Sequence, residues 1–584
     1  MKKSSQFCRL TTLVLFLLCG FWGAQTSFAQ TPDPGLPGPF AVATEEYNFG
    51  DTAFNPTNFP GPVELIGSVH YPTSLSSPRP LIILLHGRHA TCFQGDGAQF
   101  LEWPCAMGRQ PIPSYKGYDY LADVLASNGY IVVSIGANGI NARDNQVRDL
   151  GALARAELIQ KHLDIWNTFN SVGGTPFGTK FLGKVDLTKV GTMGHSRGGE
   201  GVVRHYVLNN SLGAPYGIKA VFALAPVDFN RFVVNNAALT VLLPYCDGDV
   251  SDLQGVHFYD DARYNVPGDP APKHYVLVMG ANHNFYNTIW SPSSPFPGAT
   301  DDWLAFVPGG SSDSQCGKGS GSNRLTEAQQ RGTGLAYMSA FFRSYVGGET
   351  QFLPLLTGDA PAPPSATTND LFVSYHAPDN PDLRLDVNRL LTNTNLTINT
   401  LGGAVTQLGL SPYDLCGGPA PQPAKCLPDE PNARQPHTTP SARSNMRGLS
   451  QLRTGWSDLT AFYRNDLPGG TRNVSGFQAV QFRVSVNFAD VRNIAGMPQD
   501  FSVILTDSSG STASVRVSAY SKALYFPPGH VGPVPKVVLN TVRIPLSAFA
   551  GVNLNNVRSV QFKFDQELAG ALLITDVAFA SAPQ

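Results

Sequence analysis

The sequence predicts two successive folds: an α/β domain on a doubly wound, mostly parallel sheet, and then an all-β sandwich. Short, wholly apolar runs up to residue 279 alternate with segments of helical period, as buried parallel strands and their crossover helices do. After residue 348 the helical period almost disappears. Several later segments instead alternate apolar and polar residues, which is typical of antiparallel strands with one solvated face.

Composition agrees with globular domains and argues against nucleic-acid binding. The chain has 584 residues, 41 Lys+Arg and 43 Asp+Glu, and a formal net charge of −2. Apolar residues make up 42%, which is ample for hydrophobic cores. A protein of this charge without a basic run lacks the electrostatic surface that phosphate backbones require. We therefore expect no nucleic-acid partner.

The first residues have the pattern of a secretory signal peptide. Lys2, Lys3 and Arg9 precede the apolar run Leu13–Leu18, and small residues stand just before a cleavage site at Ala29. We expect residues 1–29 to be removed and the mature protein to be extracellular or periplasmic. No later stretch approaches the ~18 apolar residues of a membrane span.

The cysteines predict three disulfides in an oxidising compartment. Six cysteines remain after signal removal, an even number. Two pairs of cysteines are close in sequence, which predicts disulfides that each close a short loop. The remaining two cysteines are then expected to pair with each other. No cysteine or histidine cluster has metal-ligand spacing, so we expect neither a metal nor a cofactor. The predicted pairs are Cys92–Cys105, Cys416–Cys426 and, by elimination, Cys246–Cys316.

The α/β domain is predicted to span residues 30–355, and a linker at 356–369 leads to the sandwich domain at 370–584. Helices are expected around 118–125, 158–166 and 335–346. The predicted strands of the first domain are 63–69, 81–85, 130–135, 190–193, 220–225, 240–243 and 275–279. Those of the second are 371–375, 396–398, 479–486, 501–505, 513–517, 540–544, 560–564 and 572–575.

The motif Gly194-His-Ser-Arg-Gly198 follows a short apolar strand and precedes a segment of helical period. A tight strand-to-helix turn of this kind exposes its serine and needs glycine on both sides for clearance. The motif therefore predicts Ser196 as a nucleophile, against the alternative of a merely glycine-rich turn.

A serine hydroxyl needs a base that is oriented by an acid. His283 follows the strand ending at residue 279, and Asp249 follows the strand 240–243, so both lie at strand ends in the order Ser, Asp, His. We assign His283 as the base and Asp249 as the acid. Asp247, in the same loop, and Asp228, after the preceding strand, remain alternatives for the acid.

The developing oxyanion requires backbone donors, and the amides of Arg197 and Arg88 are the candidates. Gly87 lets the loop of Arg88 approach the serine. The sequence leaves two roles open for the side chains of these arginines: contact with the substrate, or ion pairs that stabilise the fold.

With these motifs, residues 63–346 resemble the α/β-hydrolase superfamily. The similarity is greatest to secreted carboxylester hydrolases of the cutinase-like and the chlorophyllase- or platelet-activating-factor-acetylhydrolase-like branch. The resemblance implies acyl transfer through an acyl-enzyme. The stretches that carry it are Leu84-Leu-His-Gly87, Gly194-His-Ser-Arg-Gly-Gly199, Cys246-Asp-Gly-Asp-Val250 and Gly280-Ala-Asn-His283.

The tail is similar to carbohydrate-binding or galactose-binding-like jelly-roll modules. Residues 542–549, 557–565 and 570–579 carry this resemblance. It implies sugar binding on aromatic platforms, although aromatic residues of a sandwich are more often core. The candidate platforms are Trp456, Tyr463, Tyr520 and Tyr525.

These observations predict a monomeric serine esterase or lipase-like hydrolase. Only residues 226–239 separate two strands where many lipases insert a cap, so we expect an open cleft for a bulky or polymeric ester. Its walls would include Trp103, Phe285 and Trp290, unless these aromatics only anchor long loops. The alternatives are a serine peptidase or amidase on the same fold, and a non-catalytic glycan-binding or adhesion protein.

Overall fold

The computed structural model describes residues 31–95, 97–368, 370–417, 426–427, 435–438, 448–528 and 535–583. The predicted signal peptide lies outside these residues. Among the described residues, no helix has the length and apolar character needed to cross a bilayer.

The α/β domain is built on one mixed sheet of nine strands. Its strand order is β1-β2-β7-β3-β8-β9-β10-β11-β12, and the six strands from β7 to β11 in this order are parallel. Strands β1 and β2 at one edge and β12 at the other are antiparallel. A hairpin-like sheet of β4, β5 and β6 lies apart from it. The strands are β1 (Val42–Asn48), β2 (Ile66–Pro72), β3 (Arg79–Leu85), β4 (Cys92–Gln94), β5 (Ala98–Phe100), β6 (Gln110–Pro111), β7 (Ile131–Ile135), β8 (Val185–His195), β9 (Ile218–Leu224), β10 (Ala238–Pro244), β11 (Lys273–Val278) and β12 (Leu371–His376).

Helices cover both faces of this sheet, which is why its central strands are wholly apolar. Leu81, Ile83 and Leu85 of β3 belong to one core cluster, whereas Ile82 and Leu84 belong to another on the opposite face. Helices α3 and α4 pack on the first cluster, and α1 and α7 on the second. The helices are α1 (Asp119–Ser127), α2 (Asn138–Asn141), α3 (Ala152–Ser171), α4 (Arg197–Ser211), α5 (Val256–Ala262), α6 (Asp302–Phe306), α7 (Glu327–Tyr345) and α8 (Leu353–Thr357).

The β domain consists of two antiparallel sheets that share one apolar core. One sheet has the order β15-β16-β23-β18-β21, with β13 also paired to β23, and the other has the order β14-β17-β22-β19-β20. This confirms an α/β region followed by an all-β region. The strands are β13 (Arg384–Asn388), β14 (Val405–Leu408), β15 (Tyr413–Cys416), β16 (Gln451–Trp456), β17 (Phe462–Asp466), β18 (Ala479–Val486), β19 (Ser502–Asp507), β20 (Thr512–Arg516), β21 (Asn540–Pro545), β22 (Val557–Lys563) and β23 (Gly570–Ala580).

The first strand after the predicted linker does not belong to the β domain. Strand β12, which the sequence assigned to the sandwich, instead pairs antiparallel with β11, with Val373 opposite Val276. Alternating apolar residues predict a strand, but they do not say which sheet edge it joins. The α/β sheet therefore extends to residue 376, beyond the expected boundary at 370.

Buried charges join the two domains. Asp260 of α5 accepts hydrogen bonds from Arg483 of β18 at 2.9 Å and from His437 at 2.6 Å. Arg263, which directly follows α5, forms an ion pair with Asp576 of β23. Because charges leave water only when they are paired, these contacts define a specific interface rather than loose packing.

All three predicted disulfides are confirmed. The structure contains Cys92–Cys105, Cys246–Cys316 and Cys416–Cys426.

Candidate active site

Ser196 stands at the sharp turn between β8 and α4. Its backbone has φ 57° and ψ −124°, a positive-φ conformation that is strained for a residue with a side chain. A Cβ at Gly194 would lie 1.9 Å from the carbonyl oxygen of Gly198, and one at Gly198 would lie 2.7 Å from that of His86. The turn therefore needs both glycines, as the motif predicted.

The other two candidate groups lie at the same edge of the sheet. Asp247 follows β10 and His283 follows β11, and both strands run parallel to β8. Carboxyl ends of parallel strands meet at one edge, where side chains of separate loops converge. This topology places the three loops together.

Asp247, not Asp249, orients the imidazole. Nδ1 of His283 lies 2.8 Å from Oδ2 of Asp247, and because a carboxylate only accepts, Nδ1 carries the proton. The other oxygen of Asp247 accepts from the amides of Asp249 and Val250 at 2.9 and 2.6 Å. The assignment of Asp249 as the orienting acid is therefore corrected in favour of the alternative in the same loop.

Asp249 lies on the opposite side of the ring. Its carboxylate is 3.5 Å from Nε2 of His283, and its side chain is 52% exposed, against 1% for Asp247. The two aspartates are two residues apart in one turn, and only the path of that turn decides which of them points inward. Asp228, the other alternative, bonds the amide of Arg231 and lies beside His257.

Asp302, at the start of α6, is a buried residue that no sequence pattern indicated. Its carboxylate accepts a hydrogen bond from the amide of Gly248 at 2.8 Å, in the loop after β10 that carries Asp247, here called the acid loop. It also accepts hydrogen bonds from the amides of His283 at 3.1 Å and Asn284 at 2.9 Å, in the loop after β11, here called the base loop. Burial, with the nearby Asp247 carboxylate, raises the pKa of Asp302 to about 6. The Asp302 side chain thus connects the acid loop to the base loop.

The electrostatic surroundings favour a proton on His283. Burial opposes the charge, but Asp247, Asp249 and Asp302 outweigh it and raise the pKa of His283 to about 9. The neighbouring His195 behaves oppositely, because burial and the nearby His283 hold its pKa well below the usual value. Its ring packs 4.8 Å from that of His283, and its Nδ1 pairs with the Tyr118 hydroxyl at 2.9 Å. His195 is therefore a neutral packing partner.

The loop of Arg88 approaches the serine closely. A Cβ at Gly87 would lie 2.5 Å from Cβ of Ser196, so this position also requires glycine. Within the described residues, the amides of Arg88 and Arg197 have no hydrogen-bond acceptor. Both predicted oxyanion donors are thus adjacent to the serine and unpaired.

A lysine of the β domain lies behind the acid loop. Nζ of Lys536 donates to the carbonyl oxygens of Tyr245 at 2.6 Å and Asp247 at 3.2 Å. Its own amide donates to the Tyr245 hydroxyl at 2.9 Å. Burial lowers the pKa of Lys536 to about 8, against the nearby aspartates. The Cys246–Cys316 disulfide fixes the same turn from the neighbouring position.

A cavity of about 770 Å³ opens over Ser196. Residues 226–237, where a cap would be inserted, contain neither helix nor strand. The expectation that Trp103, Phe285 and Trp290 line the cavity is corrected, because they are at most 6% exposed and anchor loops. Trp290, for example, stacks on His89 and donates to Ser114. Aromatic residues that do line the cavity are Phe100, Phe229 and Phe306.

The aromatic candidates of the β domain divide into two pairs. Trp456 and Tyr463 are 1% exposed and belong to the core, where Trp456 stacks on Phe564 at 4.4 Å. Tyr520 is 46% exposed, and Tyr525 lies half-buried at the domain boundary. Only the second pair is accessible to a sugar.

No protein-family model matches this chain, and no curated protein matches it significantly. Among the described residues there is no group of three or more His, Cys, Asp or Glu side chains arranged to hold a metal ion.

Proposed function

We propose that this protein is a secreted serine hydrolase of the α/β-hydrolase superfamily that cleaves carboxylic ester bonds. The observation that carries the proposal is the strained Ser196 turn at the sheet edge that also presents the hydrogen-bonded pair of His283 and Asp247. A nucleophile, a base and an acid that orients the base make up the machinery of acyl transfer.

The proposed reaction has two steps. Oγ of Ser196 attacks the ester carbonyl, Nε2 of His283 takes the hydroxyl proton, and that proton then passes to the departing alcohol as the ester C–O bond breaks. Water attacks the resulting acyl-enzyme, again losing a proton to His283, which returns it to Oγ as the acid is released. Asp247 keeps Nδ1 protonated, and the amides of Arg88 and Arg197 donate to the oxyanion.

The state of His283 sets the pH dependence. Only neutral imidazole can accept the proton from the serine, and the carboxylates around it raise the pKa of His283 to about 9. Activity of the free enzyme therefore rises with pH through this value and is lost as pH falls below it. An alkaline optimum is expected.

The shape of the cavity favours a bulky substrate over a small one. It is wide, it carries no cap, and Ser196 lies at its floor with a 3% exposed fraction. The β domain is proposed as a support for this site, with sugar binding limited to the accessible pair Tyr520 and Tyr525.

The test is hydrolysis of p-nitrophenyl butyrate by the mature full-length chain, with Ser196→Ala as the variant and Ser211→Ala as the control. Ser211 is exposed at the far end of α4. We expect Ser196→Ala to lose about 10⁴-fold or more in kcat/KM, because the nucleophile is removed, and the control to match wild type. Equal hydrolysis by wild type and Ser196→Ala would refute the mechanism.

A further inference from the structure

Three arginines surround one buried carboxylate at the side of the cavity. Nε of Arg88 lies 3.1 Å from Oδ1 of Asp144, and Nη1 of Arg197 lies 2.9 Å from Oδ2. Nη2 of Arg155 lies 2.8 Å from the same Oδ2. Asp144 has no exposed surface. One negative charge thus faces three positive charges, which leaves the cluster with a formal excess of two.

The three arginines are not equivalent. Arg155 is fully buried and also donates to Asn141 and to the carbonyl oxygen of Leu150, so its guanidinium is used within the fold. Arg88 and Arg197 are 29% and 17% exposed, and both line the cavity. Asp144 fixes these two guanidiniums in place while leaving positive charge directed at the open space.

Their position relative to the reaction follows from the backbone. Arg197 comes directly after Ser196, and Arg88 comes directly after Gly87, where an added Cβ would lie 2.5 Å from the serine Cβ. The anionic residues of the cavity, Asp249 and Asp252, belong to the acid loop, where Asp249 faces Nε2 of His283. The cavity therefore has a cationic wall beside the nucleophile and an anionic wall beside the base.

We propose that the cationic wall binds a carboxylate of the substrate, so that the preferred esters are those with an anionic carboxylate in the acyl part. This inference rests on the proposed esterase function. A guanidinium held in place by a buried partner is suited to a carboxylate, because its planar donors match the two oxygens and little side-chain freedom remains to be lost. A neutral ester leaves the excess charge of this wall uncompensated.

The experiment compares two nearly isosteric chromogenic esters, 4-nitrophenyl 4-carboxybenzoate and 4-nitrophenyl 4-carbamoylbenzoate. They differ in one charge, and the para carboxylate cannot reach its own ester. The quantity measured is the ratio of kcat/KM for the anionic ester to that for the neutral one. This ratio does not depend on how much of a variant is folded.

We expect wild type to prefer the anionic ester by about ten- to one-hundred-fold, the effect of charged hydrogen bonds. Arg88→Gln and Arg197→Gln should each bring the ratio towards one, mainly through KM. The matched control is Arg516→Gln, which removes an exposed arginine of the β domain and should keep the wild-type ratio.

The outcomes separate the two levels of the proposal. A wild-type ratio near one, or a ratio unchanged in both arginine variants, overturns the carboxylate site and leaves the esterase intact. If Ser196→Ala hydrolyses both esters as wild type does, the esterase function itself fails.

Discussion

The two domains contribute to the site in different ways. The α/β domain carries every group assigned a chemical role, at one edge of its parallel sheet. Among its described residues, the β domain contributes no group to the cavity over Ser196, yet its Lys536 donates to the carbonyl oxygens on either side of Cys246 in the acid loop. A domain that lies away from Ser196 therefore helps to fix the geometry of the acid loop.

The largest effect is expected inside the α/β domain. Asp247→Asn should lower kcat/KM by about 10³- to 10⁴-fold, because an amide no longer holds Nδ1 of His283 protonated or stabilises the imidazolium. Hydrolysis of p-nitrophenyl butyrate measures this loss. A milder loss than that of Asp249→Asn would return the orienting role to Asp249.

Lys536→Met tests the support from the β domain. Its ammonium donates two charged hydrogen bonds to the acid turn, and their loss should lower kcat by about ten-fold while KM stays unchanged, since Lys536 does not reach the cavity. The exposed Lys563→Met is the control. Titration of active serines corrects for unfolded protein, and a wild-type kcat after that correction would mean that the β domain does not position the turn.

Removing one disulfide from each domain allows a direct comparison of the two domains. Cys246–Cys316 closes 70 residues beside Asp247, and Cys416–Cys426 closes 10 in the β domain. Loop entropy predicts losses of about 4 and 3 kcal/mol in the stability of the respective domains when each pair is replaced by serines. Thermal unfolding measures the two losses of stability. We expect only the replacement of Cys246 and Cys316 to lower kcat as well, by several-fold. A similar effect of both replacements on kcat would contradict a specific role for the first.

The smallest effect on maximal rate is expected at Asp249. Its carboxylate helps to raise the pKa of His283, so Asp249→Asn should lower that pKa and move the acidic limb of the kcat/KM profile to lower pH. Because the Asp249 side chain is 52% exposed, water screens its charge, and at 3.5 Å from Nε2 we expect a shift of about one pH unit. A limb that stays near pH 9 would show that Asp249 does not influence the base.

Much of the fold was predictable because it depends on neighbouring residues. The wholly apolar run at 81–85 has both faces covered, as such runs predict, and became β3. Strand β12 was assigned to the wrong sheet, because its pattern is the same whichever edge it joins. Strand β1 was not predicted, since Val42–Asn48 carries two adjacent glutamates at a solvated sheet edge.

Local patterns in the sequence were enough to predict the order of the two folds, the disulfide pairs, and the turns in which Ser196 and His283 lie. These depend on periodicity, on cysteine spacing and on glycines within a few residues of one another. Packing between distant segments sets which aspartate faces His283, and it places Asp302 and Lys536 against the acid and base loops. No local pattern encodes this packing, which determines both the direction of a side chain within a turn and its contacts with residues tens or hundreds of positions away.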